Sequence, residues 1–147
     1  MPTPRGVKQN KNWGCWAACM ESWTEQVALW KTVTQEAIAK KYGGAEDSLN
    51  TAGPEFGKFC EEYGFNIVHY SAGAIDASAL TEMLNPPYHF CMVIEKLAQG
   101  SHARLIHGVR RDVNGNAVLK IMEPRIGQLD SLNASAIGRA MLLSPLA

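Results

Sequence analysis

The chain has 147 residues, 46% of them hydrophobic and 19% charged, which suits a single globular domain spanning 1–147 with a substantial core. Fourteen basic and fourteen acidic side chains cancel, so no charge excess favours phosphate, and nucleic acid is excluded as the default partner. No apolar run approaches the ~20 residues of a membrane span. The opening Met-Pro-Thr-Pro-Arg-Gly has no apolar stretch behind its charge, so no export signal is visible. The four cysteines, at 15, 19, 60 and 91, are few for a disulfide scaffold and form no CxxC pairs of a structural zinc site.

Along the chain, Trp16, Cys19, Met20, Trp23, Val27 and Trp30 recur at three- and four-residue steps. That spacing predicts one core-facing helix over 16–30. Cys19 lies in the apolar stripe, whereas Cys15 falls off its edge in an exposed first turn. Thr32-Val33-Thr34-Gln35 reads as a capping box for a short helix ending at about 42. Gly53-Pro54 opens a third helix that Gly64 closes, and 65–70 reads as a strand. Asp76 can cap a fourth helix through Leu84, which Asn85-Pro86-Pro87 ends. Thereafter the period changes to two: 88–95, 103–111 and 117–122 read as strands, with an Asn114-Gly115 hairpin between the last pair and a final strand at 140–143. Helices followed by antiparallel strands predict an α+β domain.

Cysteine chemistry needs an anionic sulfur, a base and donors for a developing oxyanion. A helix N-terminus favours an anion, which makes Cys15, rather than Cys19, the candidate nucleophile. Of the four histidines, His102 opens a strand after the flexible Gln99-Gly100-Ser101 and can reach a neighbouring helix terminus. His107 lies five residues on, and in a regular strand points to the opposite face. His69 and His89 sit in apolar strand contexts and read as packing or surface residues.

With Gln9 six residues before Cys15-Trp16-Ala17-Ala18, and His102-Ala103 followed by Gly108, the chain resembles the papain-like cysteine proteases. The order Gln, Cys, His, then a polar orienter is shared. The form and length are most similar to small bacterial papain-like peptidases, including avirulence proteases that plant pathogens deliver into host cells and papain-fold toxin domains. The resemblance is concentrated in 9–20 and 102–124. It implies a papain-like fold whose central helix carries the nucleophile, a protein or peptide substrate, and no cofactor or metal. It implies that Cys15 attacks, His102 serves as acid and base, and Gln9 supplies the oxyanion hole beside the Cys15 N–H. It also allows secretion or delivery into a target cell's cytosol, and a cognate inhibitor or immunity protein as partner.

The family's orienter is Asn or Asp, often as Asp-Pro; here the corresponding pair is Glu123-Pro124, longer by one methylene. A two-residue Asn114-Gly115 turn pairs residues whose numbers sum to 229. That register puts Glu123 on the face of His102 but opposite Ile106, roughly 13 Å along the strand from where it is needed. A longer loop or a bulge must close that gap.

Three rival readings differ in kind. The same Cys-His pair on the same fold could deamidate or transfer an acyl group, or mature bacteriocins as a double-glycine leader peptidase, although those typically show Asp-Cys-Gly where this chain has Gly14-Cys15-Trp16. Cys15 and Cys19 at i, i+4 could clamp zinc with two further ligands, or form a redox module, although the spacing is not CxxC. An inactive papain-like binding domain would keep the fold alone.

Overall fold

The computed structural model describes residues 2–44 and 48–145. Three helices come first: α1 (Cys15–Thr24), α2 (Gln35–Tyr42) and α3 (Pro54–Tyr63). Strand β1 (Asn66–Tyr70) and helix α4 (Ala77–Met83) follow, then β2 (Cys91–Lys96), β3 (Ser101–Arg111), β4 (Ala117–Glu123), β5 (Gln128–Asn133) and β6 (Ala140–Ser144). The strands form one six-stranded sheet in the order β1-β6-β2-β3-β4-β5, and every neighbouring pair is antiparallel. The architecture is α+β.

Most element ends follow from local chemistry. Thr34 caps α2 by accepting the N–H of Ala37, two residues later than the Thr32 capping box predicts. Pro54 opens α3, and Gly64 ends it at φ 69, a left-handed conformation that suits glycine. Asp76 accepts the N–H of Ser78 at the start of α4.

Helix α1 ends at Thr24, short of the predicted 30. The Thr24 carbonyl takes the Thr32 hydroxyl at 3.5 Å, and its own hydroxyl accepts the N–H of Val33 at 3.0 Å. The last turn is therefore tied to the returning chain. The apolar stripe nevertheless marks the core. Val27 is buried, and the Trp30 ring sits 5.2 Å from those of both Trp23 and Tyr88.

The sheet is covered on both faces. One face carries Met92, Ile94, Ala103, Leu105 and Met122 against Trp16, Cys19, Met20 and Trp23 of α1. The other carries Cys91, Val93, Ile106, Leu119 and Ile121 with Leu80 and Leu84. Consecutive residues of β2 thus alternate between two cores, and its first four are all buried.

The β3–β4 register departs from the two-residue turn. Asp112 Oδ1 accepts the N–H groups of both Asn114 and Asn116 at 2.9 Å, while the Asp112 N–H bonds the Asn116 carbonyl. Gly115 at φ 80 completes a loop longer than Asn114-Gly115 alone. Arg111 pairs with Ala117, and a bulge between Ile106 and Gly108 shifts the ladder once more, so that Ile106 pairs with Ile121. Two single-residue shifts preserve the parity of Glu123 and bring it two residues nearer His102.

Before α1 the chain crosses the β4–β5 turn. Gln9 N–H bonds the Pro124 carbonyl at 2.8 Å, and Val7 is buried. A Cβ on Gly6 would lie 2.1 Å from the Gly127 carbonyl oxygen, a backbone atom. Gly6→Ala is therefore expected to destabilise the fold by about 1–3 kcal/mol, read as a lower urea midpoint at unchanged m.

Candidate active site

Cys15 is the first residue of α1, after Gly14. No side chain caps this helix, and the dipole at its N-terminus favours an anion there. Cys15 is only 6% exposed, in contrast to the exposed first turn read from helix phase. The covering is β3: the Ala103 N–H approaches Cys15 Sγ at 3.3 Å, because α1 lies across that strand. The thiol is still reachable, since Cys15 lines a hollow of about 340 Å³ with Trp13, Trp16, Leu49, Ile94, Leu97 and Ala103.

Trp13 is fixed over the β2–β3 turn. Gly100 has φ 82, and a Cβ there would come within 2.8 Å of the Trp13 ring. The glycine permits both the turn and the close approach of the indole. Tyr88 and Met92 do not line this hollow: Tyr88 accepts the Trp23 indole N–H at 2.9 Å, and Met92 is fully buried.

His102 is 3% exposed. Its Nε2–H donates to Glu123 Oε2 at 2.8 Å, and Cys15 is near enough to bias the charge of the ring. With Nε2 on Glu123, Nδ1 is the nitrogen left for the sulfur. Burial pulls the imidazole down, but the hydrogen bonds and charges of Cys15 and Glu123 outweigh it and leave His102 above its ordinary value. For Glu123, burial pushes the carboxyl up, and the His102 bond and charge, the Arg125 N–H and Arg104 pull it down to about 2. Glu123 is therefore an anion across the pH range in which His102 titrates.

Gln9 is placed differently from its predicted role. Its Nε2 donates to the carbonyls of Lys11 and Asn12, each at 2.9 Å. Both amide hydrogens thus shape the loop that leads into α1. Cys19 is fully buried, and burial pushes its thiol well up. His107 lies at the bulge, half-buried, with its ring 6.4 Å from that of Phe90, away from the cysteine. His69 and His89 do not join the site: His69 is in edge strand β1, and the His89 ring lies against Phe90. Among the described residues no three His, Cys, Asp or Glu side chains converge as a metal site, and no helix is long and apolar enough to cross a membrane.

Sequence reasoning missed two charged residues here. Arg104 Nε donates to Glu123 Oε1 at 3.0 Å, and its Nη1 donates to Glu95 Oε1 at 2.8 Å. Glu95 Oε2 in turn accepts the Gly138 N–H at 2.7 Å. Arg104 lies two residues from His102 and hence on the same strand face; only the true β3–β4 register shows that it also faces Glu123.

The arrangement joins a thiol at a helix N-terminus, an imidazole whose charged form is favoured, and an anion that fixes the imidazole's tautomer. Comparison with protein families gives a match over residues 3–135 to the family model described as papain-like cysteine protease AvrRpt2. No individual curated protein matches the chain.

Proposed function

We propose that this chain, which belongs to the AvrRpt2 family of papain-like cysteine proteases, is a single-domain peptidase that hydrolyses a peptide bond of a protein substrate using Cys15 and His102. The observation that carries this reading is the juxtaposition of Cys15, His102 and Glu123: the imidazole donates to the carboxylate at 2.8 Å, and the Cys15 Sγ lies 3.3 Å from the N–H of the adjoining Ala103.

Cys15 Sγ attacks the scissile carbonyl carbon as the sulfur's proton passes to, or already resides on, His102. The new C–S bond leaves an oxyanion that the Cys15 N–H and the helix dipole at the α1 N-terminus can receive. Gln9 joins them by giving up one of its two loop carbonyls. His102 then donates its proton to the leaving nitrogen as the C–N bond breaks. A water, deprotonated by His102, attacks the thioester; the C–S bond breaks, the carboxylate product leaves, and the sulfur takes back its proton. Throughout, Glu123 keeps the Nε2–H of His102 in place and opposes its positive charge.

A role as a bacterial effector or toxin enzyme, with a cognate inhibitor, rests on the likeness of the Cys-Trp-Ala-Ala and His-Ala segments to such proteases. The chemistry is tested by digesting an unfolded protein in water enriched in ¹⁸O and mapping the products by mass spectrometry. Hydrolysis yields new termini, with one heavy oxygen in each new carboxyl group. Intact chains carrying only glutamine-to-glutamate conversions would replace protease with deamidase.

A further inference from the structure

Resting on the assignment of His102 and Glu123 above, we infer that Arg104 is a positioning residue for the histidine, clamping Glu123 so that a glutamate serves where the family's shorter Asn or Asp would stand. Glutamate has one more rotatable bond than aspartate, and a half-buried carboxylate with two equivalent oxygens has several ways to be satisfied. Left to itself, Glu123 would spend part of its time away from the imidazole. Arg104 removes that freedom. Its Nε holds Glu123 Oε1 at 3.0 Å, leaving Oε2 for His102 at 2.8 Å and, at a longer 3.3 Å, the Arg125 N–H.

The guanidinium is itself fixed from behind. Its Nη1 is on Glu95, and Glu95 is on the Gly138 N–H. Because the guanidinium is planar, engaging Nε and Nη1 in different directions sets the orientation of the whole group. The clamp spans three adjacent strands, with Glu95 on β2, Arg104 on β3 and Glu123 on β4. All three side chains are about one-sixth exposed or less, so solvent screens the pairs only in part.

The groups facing His102 are Cys15 from α1, Glu95 from β2, Arg104 beside it on β3, and Glu123 from β4. With Arg104 in place, its guanidinium stands between the two carboxylates. Without it, Glu95 and Glu123 repel each other, and Glu123 swings from the imidazole. Losing the Glu123 bond lowers the His102 pKa, whereas merely deleting a nearby positive charge would raise it. The sign of the change therefore separates positioning from a through-space charge.

The experiment titrates the His102 ring by NMR in the full chain as wild type, R104M and R104K, and measures the rate of Cys15 labelling by an epoxide inhibitor against pH in all three. We expect the His102 pKa to fall in R104M, the labelling rate to drop by about 10- to 100-fold, as for other partners that orient a functional imidazole, and its alkaline limb to move to lower pH. Lysine can meet one carboxylate but not bridge two, so R104K should recover part of the loss. An unchanged His102 pKa with a lower urea midpoint would reduce Arg104 to a structural role, and a raised pKa would leave only its charge; either overturns the inference. Absence of labelling in the wild type would count against the nucleophile instead, while the NMR titration still decides on Arg104.

Discussion

Replacing Cys15 by alanine is expected to abolish covalent labelling by an epoxide inhibitor and to lower peptide hydrolysis at least ~10³-fold, whereas Cys19→Ala should be labelled as the wild type is. The first loss is expected because covalent catalysis has no second sulfur to use, and nucleophile and base act as one unit. Four residues along the same helix, Cys19 has no exposed surface, and burial raises its thiol well above the ordinary range. Cys60 and Cys91 are likewise pushed up by burial. Cys15 alone among the four lines the hollow between Trp13 and the start of β3. Removing one buried sulfur at Cys19 should cost about 1 kcal/mol of stability, visible in the urea midpoint but not in the labelling rate. Mass spectrometry of the labelled peptide reads the outcome directly: an adduct that vanishes with Cys19→Ala and persists with Cys15→Ala reverses the assignment.

Why some of this was legible from the residues and some was not has a physical basis. Helix α3 announces itself through Gly53-Pro54 and Gly64, since those residues have few other uses in such positions. Strand β5 carries no such signal. It is an edge strand exposed on nearly every residue, so no burial pattern is imposed on Gln128–Asn133, and only pairing with β4 defines it. The β3–β4 register was misjudged because Asn114-Gly115 resembles a two-residue turn, while the side chain of Asp112 gathers the loop into a longer one. The bulge at 106–108 has no local signature beyond Gly108. These two shifts decide whether Glu123 reaches His102, so the third member of the constellation depended on a feature that residue spacing cannot reveal. Arg104 was overlooked for the same reason: an arginine in a strand reads as solvated until its cross-strand neighbours are known. Cys15, His102 and Gln9 stood out because their spacings are local. Even so, the direction of the Gln9 amide was set by Lys11 and Asn12 carbonyls that no motif mentions.

Glu123→Gln is expected to cost about 10²-fold in hydrolysis and to remove one acid-labile component of stability, two effects with a common cause. Glutamine is nearly isosteric, but it offers one acceptor where glutamate offers two. If its oxygen faces His102, its amide N–H groups confront Arg104, also a donor; if the amide turns, the Nε2–H of His102 meets another donor. One partner is unsatisfied in either pose. The charge is lost as well, so the His102 pKa falls and the alkaline limb of the rate profile moves to lower pH. For stability the sign follows from the carboxylate. In the folded chain Glu123 titrates near 2 instead of the ordinary 4.5, so its contribution is fully present above about pH 4.5 and is lost as pH falls toward 2. At 1.36 kcal/mol per pKa unit the wild type should lose about 3 kcal/mol across that interval. Urea unfolding midpoints measured from pH 5 to pH 2 should therefore fall more steeply for the wild type than for Glu123→Gln. Parallel pH dependence in the two proteins would mean that Glu123 is not the ionised partner of His102, and the orienting role would have to pass to another group.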